Sequence, residues 1–177
     1  MKKLLFICLS LLWLSCNNST KIEEHLPAKT EDQQATTYYL IRHAEKDRTD
    51  LTNKNPNLKE IGKQRAENWS KVFQYVEFDN IYTTNYNRTI QTAQPTADAK
   101  NINLQFYNPS QLYDDAFIKD TKGKTVLVVG HSNTTPSFVN TILGEEKYQN
   151  INDTINGNLY IVTVDKHTKT HQLLSIN

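Results

Sequence analysis

The chain has 177 residues, of which 37% are hydrophobic and 22% charged, enough apolar material for one globular core and too much for a wholly disordered chain. Lys+Arg 20 against Asp+Glu 19 gives a formal charge of +1, without the clustered basic excess that a nucleic-acid surface needs. Five Gly and five Pro exclude collagen-like and proline-rich chains.

Residues 1–16 stand apart from the rest. Lys2 and Lys3 precede an almost unbroken apolar run from Leu4 to Leu14, and Ser15 and Cys16 follow at once. The run is too short to span a bilayer and has the basic start and apolar middle of a secretory signal. A small residue directly before a cysteine resembles a bacterial lipoprotein cleavage site, with Cys16 as the lipidated first residue; an ordinary signal cut elsewhere is the alternative. Cys8 and Cys16 are the only cysteines, so no disulfide is expected inside the domain. Loss of Lys2 and Lys3 with the leader takes the net charge from +1 to about −1, which leaves acyl chains rather than a basic patch to hold the membrane. The expectation is an exported, lipid-anchored protein, periplasmic or on the outer surface of a bacterium. Residues 17–36 are polar, with Ile22 and Leu26 as the only large aliphatics and Pro27 between them and the domain. They read as a tether, and the domain is expected over 37–177.

Within the domain, strand and helix signals alternate. Thr37 to Ile41 is a short β-rich run that stops at a charged stretch, Arg42 to Asp50. Leu58 to Val76 carries Leu58, Ile61, Ala66, Trp69, Val72, Phe73 and Val76 near helical spacing, with Trp69 expected in the core. Asn80 to Thr83 reads as a strand, residues 84–87 as a turn, and Arg88 to Lys100 as a helix that Pro95 kinks or restarts. Ile102 to Phe106 is a candidate strand. Thr125 to Val129 is apolar on both faces, as a central parallel strand is. Thr135 to Leu143 reads as a helix, and Asn158 to Val164 with His171 to Ile176 as a terminal strand pair. The fold class this predicts is α/β, three-layered, with a mostly parallel central sheet between helices.

Three of these strands end in residues suited to a phosphate. The first runs into Arg42-His43-Ala44-Glu45-Lys46, the second leads to Asn87-Arg88-Thr89 at a helix start, and the third ends at Gly130-His131-Ser132. In a doubly wound sheet, ligands bind along the carboxyl edge of the parallel strands. Two Arg and two His from distant parts of the chain therefore converge on one predicted pocket.

These blocks resemble the histidine phosphatase superfamily, which includes the phosphoglycerate mutases. The resemblance rests on LIRHAEK at 40–46, NPNLKEIGKQRAENW at 55–69, YTTNYNRTIQTAQP at 82–95 and VLVVGHSNTTP at 126–136, in that order. It implies a phosphoglycerate mutase-like fold of the small phosphohistidine-phosphatase-like branch, working without metal or other cofactor. By the match to the family motif, His43 is the nucleophile, Arg42 and Arg88 clamp the phosphoryl oxygens, and His131 adds a further donor. A neutral imidazole is the attacking form, and planar guanidiniums suit bidentate contacts to phosphate. Relatives often take a leaving-group proton from an L-x-E stretch after the third strand; Leu112-Tyr113-Asp114-Asp115 corresponds. Asp114 is the candidate acid, with Asp115 and Glu45 as alternatives, or none. Arg42 and His43 share a face only if the chain curls as the strand ends. Lys46 and Arg48 are expected to coat the loop, and Tyr107 and Tyr113 to wall a pocket covered by the segment 106–124. His167 and His171 flank a turn and find no partners for a metal site, so none is expected.

Two classes of function follow. One is a metal-independent phosphatase acting on a phosphorylated small molecule or phosphoprotein through a phosphohistidine on His43. The other is a surface lipoprotein that binds phosphate with little or no turnover; a phosphomutase, which needs a larger cap, comes behind both. Neither class calls for nucleic acid, and each meets the membrane only through its lipid.

Overall fold

The computed structural model describes residues 34–176. The leader, Cys16 and nearly all of the tether lie outside the described residues. Ten elements follow in order: β1 (Thr36–Arg42), α1 (Glu60–Val72), β2 (Asn80–Thr83), α2 (Asn87–Lys100), β3 (Leu104–Phe106), α3 (Asp115–Thr121), β4 (Thr125–Gly130), α4 (Thr134–Leu143), β5 (Asn158–Val164) and β6 (Lys169–Ser175). The six strands make one sheet in the order β3-β2-β4-β1-β5-β6. The first four are parallel, and β5 and β6 extend the sheet antiparallel beyond β1.

Alternation along the central strands sorts their side chains onto two cores. Ile41, Leu127 and Val129 face α1 and α2, where Trp69, Phe73, Ala93 and Ala97 pack. Tyr38, Leu40, Val126 and Val128 face the other way, against Phe117 of α3 and Phe138, Val139 and Ile142 of α4. Both faces of β1 and β4 are thus covered, which is why β4 is apolar without a break from Val126 to Val129. The result is a mixed α/β fold, a six-stranded sheet flanked by four helices. Among the described residues no helix is long and apolar enough to cross a membrane.

Local details follow from local chemistry. Helix α2 runs uninterrupted through Pro95, whose carbonyl accepts from Ser70 Oγ of α1 at 3.1 Å. Gly62 allows α1 to lie against the loop after β1, because a Cβ there would come within 2.3 Å of the Glu45 carbonyl oxygen. The helix α3 was not expected, since seven residues with one buried aromatic carry too little periodicity to read. Its sequence signal is an N-cap: the Asp114 carboxylate accepts from the Phe117 backbone N–H at 2.8 Å.

Candidate active site

The sheet register brings the predicted residues together. Arg42 at the end of β1 pairs with Gly130 at the end of β4, and Thr83 at the end of β2 pairs with Val129. The three strand ends are therefore level, and the chains that leave them border a single cavity of about 310 Å³. Arg42, His43, Arg88 and His131 all line it, with Lys46, Tyr86, Pro109, Asp153 and the first residues of α4. Arg42 is the last strand residue and His43 the first beyond it, and the turn of the chain there sends both to the pocket. The N-terminal ends of α2 and α4 also border it, and the partial positive charge of a helix start favours an anion.

His43 is held on both sides by backbone bonds. Its N–H donates to the Gly130 carbonyl at 2.9 Å, and its carbonyl accepts from Asn156 Nδ2 at 2.9 Å. The following N–H, that of Ala44, donates to Thr92 Oγ1 of α2 at 2.9 Å. Nδ1 of the ring lies 2.7 Å from the Ala44 carbonyl oxygen. A carbonyl only accepts, so Nδ1 carries the proton and Nε2 keeps its lone pair. Burial, followed by repulsion from Arg42, from His131 once it is protonated and from Arg88, pushes the imidazole pKa down to about 3, with the Ala44 contact opposing. His131 faces it at 5.5 Å between ring centroids, with Nε2 2.9 Å from Thr84 Oγ1. Burial and then Arg88, Lys46 and Arg42 lower its pKa to about 4. Both imidazoles are neutral near pH 7.

The two guanidiniums differ in their support. Arg42 is 1% exposed. Its Nη1 donates to the carbonyls of Asn152 and Ile155, each at 3.0 Å, and its Nη2 to Asp153 Oδ1 at 2.7 Å. That grip uses the outer edge and leaves the buried Nε–H without an acceptor. In Arg88, Nε and Nη1 are likewise buried and unpartnered, and the guanidinium carbon sits 4.4 Å from the centre of the Tyr86 ring. Buried donors without partners are rare and costly. Three of them, on two cationic groups that border one cavity, suit a multiply charged oxyanion.

The expected acids are elsewhere. Asp114 does not line this cavity: its carboxylate caps α3 and borders a separate groove with Tyr82, Phe106 and Asp120. Asp115 is an exposed first-turn residue of α3. Glu45 is turned away into a pairing with Arg65, whose Nε reaches its two oxygens at 2.9 and 3.0 Å. The carboxylate that does border the cavity is Asp153, from the loop between α4 and β5, which also pairs with Arg48 at 3.2 Å. Burial raises its pKa, but Arg48 and Arg42 outweigh this and hold it below the usual carboxylate range. Nothing in Asn152-Asp153-Thr154 marked it in the sequence beyond a turn-forming composition.

Other expectations change too. Tyr113 does not wall the pocket; it packs inward on Tyr38 and Phe138. Tyr107 lies against Phe138, so the wall is Tyr86, and of the segment 106–124 only Pro109 borders the cavity. Lys46 lines the pocket instead of coating the loop. His171 Nδ1 bonds the Tyr148 hydroxyl at 2.7 Å, and His167 sits in a turn closed by Asp165. Among the described residues no group of three or more His, Cys, Asp or Glu could hold a metal ion.

Residues 38–108 match the histidine phosphatase superfamily (branch 1), a stretch that includes Arg42, His43 and Arg88. No curated protein matches the chain. Solved structures share its fold. A protein of Agrobacterium tumefaciens assigned as the phosphohistidine phosphatase SixA superposes with a TM-score of 0.60 at 20% identity, covering 80% of this chain and 99% of its own. The protein histidine phosphatase SixA in complex with tungstate gives 0.62 at 17%, covering 78% and 96%. Phosphoglycerate mutase from Bacillus anthracis gives 0.57 at 13%, covering 82% and 94%.

Proposed function

We propose that this protein is a phosphatase that hydrolyses phosphate monoesters or phosphohistidine through a covalent phosphohistidine on His43. The observation that carries this is the pairing of a neutral His43, its tautomer fixed by the Ala44 carbonyl, with two guanidiniums, Arg42 and Arg88, that border the same cavity and retain unpartnered donors. The donors hold the phosphoryl oxygens and stabilise their charge as it redistributes. Nε2 of His43 attacks phosphorus, the leaving group departs, and water then attacks the phosphohistidine and releases inorganic phosphate. No step requires a metal ion. His131 borders the same oxygens, and Tyr86 holds Arg88 from beneath.

The exported, lipid-anchored placement is part of the same proposal: cleavage before Cys16, acylation of that residue, and a tether over 17–36. It rests on the sequence of the leader. A substrate met outside the cytoplasm would be a phosphorylated small molecule or a phosphoprotein. A second reading, phosphate binding without turnover, draws on one observation: no carboxylate from 110–115 reaches the pocket.

The test is hydrolysis of p-nitrophenyl phosphate by residues 34–177 in the presence of a chelator, beside His43→Ala. Turnover that survives chelation and falls at least about 1,000-fold in the variant is the expected result. Equal rates for the two proteins would overturn the phosphohistidine route. Phosphate that protects an inactive wild type against heat would favour the binding reading.

A further inference from the structure

We propose that Lys46 is the proton donor to the leaving group, a catalytic role that rests on the phosphatase reading above. An alkoxide is a poor leaving group, so a phosphate ester of an ordinary alcohol needs a proton delivered to the bridging oxygen as the P–O bond breaks. The positions expected to supply it do not border the pocket: Asp114 is spent on the α3 cap and Glu45 on Arg65. Asp153 does border it but is held ionised between two guanidiniums, and a carboxylate without a proton has none to give.

The remaining proton carriers at the cavity are readily sorted. Arg42 and Arg88 do not release protons in proteins. His131 is neutral and holds a single ring proton, which it gives up only as an imidazolate. The Tyr86 phenol and the Ser132 and Thr134 hydroxyls also border the cavity; Lys46 alone among these carries an extra proton as an ammonium and becomes a stable amine on losing it.

Its placement suits the task. Lys46 is three residues beyond His43, half-buried, and lines the same cavity. Its backbone is pinned by an antiparallel bridge to Leu58, and the neighbouring bonds Asp47 N–H to Asn57 O and Lys59 N–H to Glu45 O are each 2.8 Å. Among the described residues no carboxylate pairs with its Nζ and no hydrogen bond ties it down. The charged groups facing it come from every side: Arg88 from α2, Arg42 from β1, Arg48 from its own loop and Asp153 from the α4–β5 loop. Burial first, then Arg88 and Arg48, lower its pKa, with Asp153 opposing. The ammonium is thereby a stronger acid than an exposed lysine.

The two half-reactions balance. In the first, His43 Nε2 bonds to phosphorus, the P–O bond to the leaving group breaks with its electron pair, and Lys46 Nζ passes a proton to that oxygen. An alcohol leaves, with phosphohistidine and a neutral amine behind. In the second, the amine takes a proton from water as its oxygen attacks phosphorus and the P–N bond breaks. Phosphate leaves, and the ammonium and the free imidazole are restored.

The experiment compares p-nitrophenyl phosphate, whose leaving group needs no proton, with glycerol phosphate, whose leaving group does, in wild type, Lys46→Gln and Lys46→Arg. Both variants are expected to lose about 100-fold or more in kcat on glycerol phosphate and about fivefold or less on the aryl ester. The arginine variant keeps the charge and cannot donate, so its failure separates acid catalysis from substrate attraction. The basic limb of the kcat profile on glycerol phosphate should also shift or vanish. Restoration by arginine, a change confined to KM, or equal losses on both esters would overturn the proposal while leaving the phosphatase reading standing. A wild type inactive on both esters would remove the reading itself, and the proposal with it.

Discussion

Two segments leave the core toward the carboxyl edge of the sheet, and they spend their polar groups differently. The stretch from Tyr107 to Asp114 turns on itself. Asn108 Oδ1 accepts from Ser110 N–H at 3.0 Å, Tyr113 takes a left-handed backbone with φ of 55° and packs inward, and Asp114 caps a helix. The stretch from Asn152 to Asn156 turns on its neighbours. Two of its carbonyls and the Asp153 carboxylate grip Arg42, and Asn156 holds the His43 carbonyl. Each contains an aspartate in a turn, yet one is a local structural device and the other reaches into the site. A carboxylate in a loop takes its role from the nearest strong donor: a free helix N–H in one case, a buried guanidinium in the other.

Acid should break this contrast most strongly. The imidazoles of His43 and His131 have folded-state pKa values of about 3 and about 4, against the ordinary 6.5. As pH falls below that ordinary value the unfolded chain takes up protons first, so stability is complete above about pH 6.5 and is lost toward pH 4. Two protons set a slope of at most about 2.7 kcal/mol per pH unit. Urea unfolding between pH 6.5 and 4.5 should show it, and His131→Gln should flatten it by about half. The residues from Tyr107 to Asp114 contain no histidine. An unchanged midpoint across that range would mean that the pocket admits protons freely.

A smaller effect is expected at Asp153. Asp153→Asn keeps the two carbonyl contacts to Arg42 but removes the charge, so the guanidinium is less firmly aimed and kcat should fall about tenfold. Inorganic phosphate should inhibit more strongly, because the pocket loses the negative charge of Asp153. Stability should fall by about 1 kcal/mol or less, since the Asp153 side chain is 64% exposed and water screens its pairing. If kcat and phosphate inhibition are both unmoved, the 152–156 segment is a cover and not a support.

The four residues that read most plainly in the sequence, Arg42, His43, Arg88 and His131, share one property. Each ends a strand, follows directly on one or lies in the first turn of the helix after it, so a local pattern and the parallel-sheet rule together place it. The two-sided burial of β4 was legible for the same reason: Val126 to Val129 admit no exposed face. Asp153 had no such frame, because its partner Arg42 is 111 residues away and its own neighbours say only that the chain turns. Lys46 was ambiguous because a lysine stem reaches outward or inward with equal ease, and only the folded cavity that it lines shows which. Asp114 misled because a capping aspartate and an acid catalyst look alike without the helix that follows.

That ambiguity gives the mildest test, and the sharpest one for the contrast between the segments. Asp114→Ala removes the acceptor of the Phe117 N–H at the start of a seven-residue helix, and loss of such a cap costs about 1 kcal/mol. Thermal unfolding should register it as a drop in Tm of a few degrees. Asp114→Asn, which keeps an accepting oxygen, should recover most of the loss. Turnover per folded molecule should be the same in all three proteins, because the carboxylate borders a groove other than the one lined by His43. A fall in kcat beyond about tenfold, in both variants and on alkyl esters only, would instead mark Asp114 as an acid that reaches the leaving group. The same result would displace Lys46 from that role, so this variant and the lysine pair test one assignment from two independent positions.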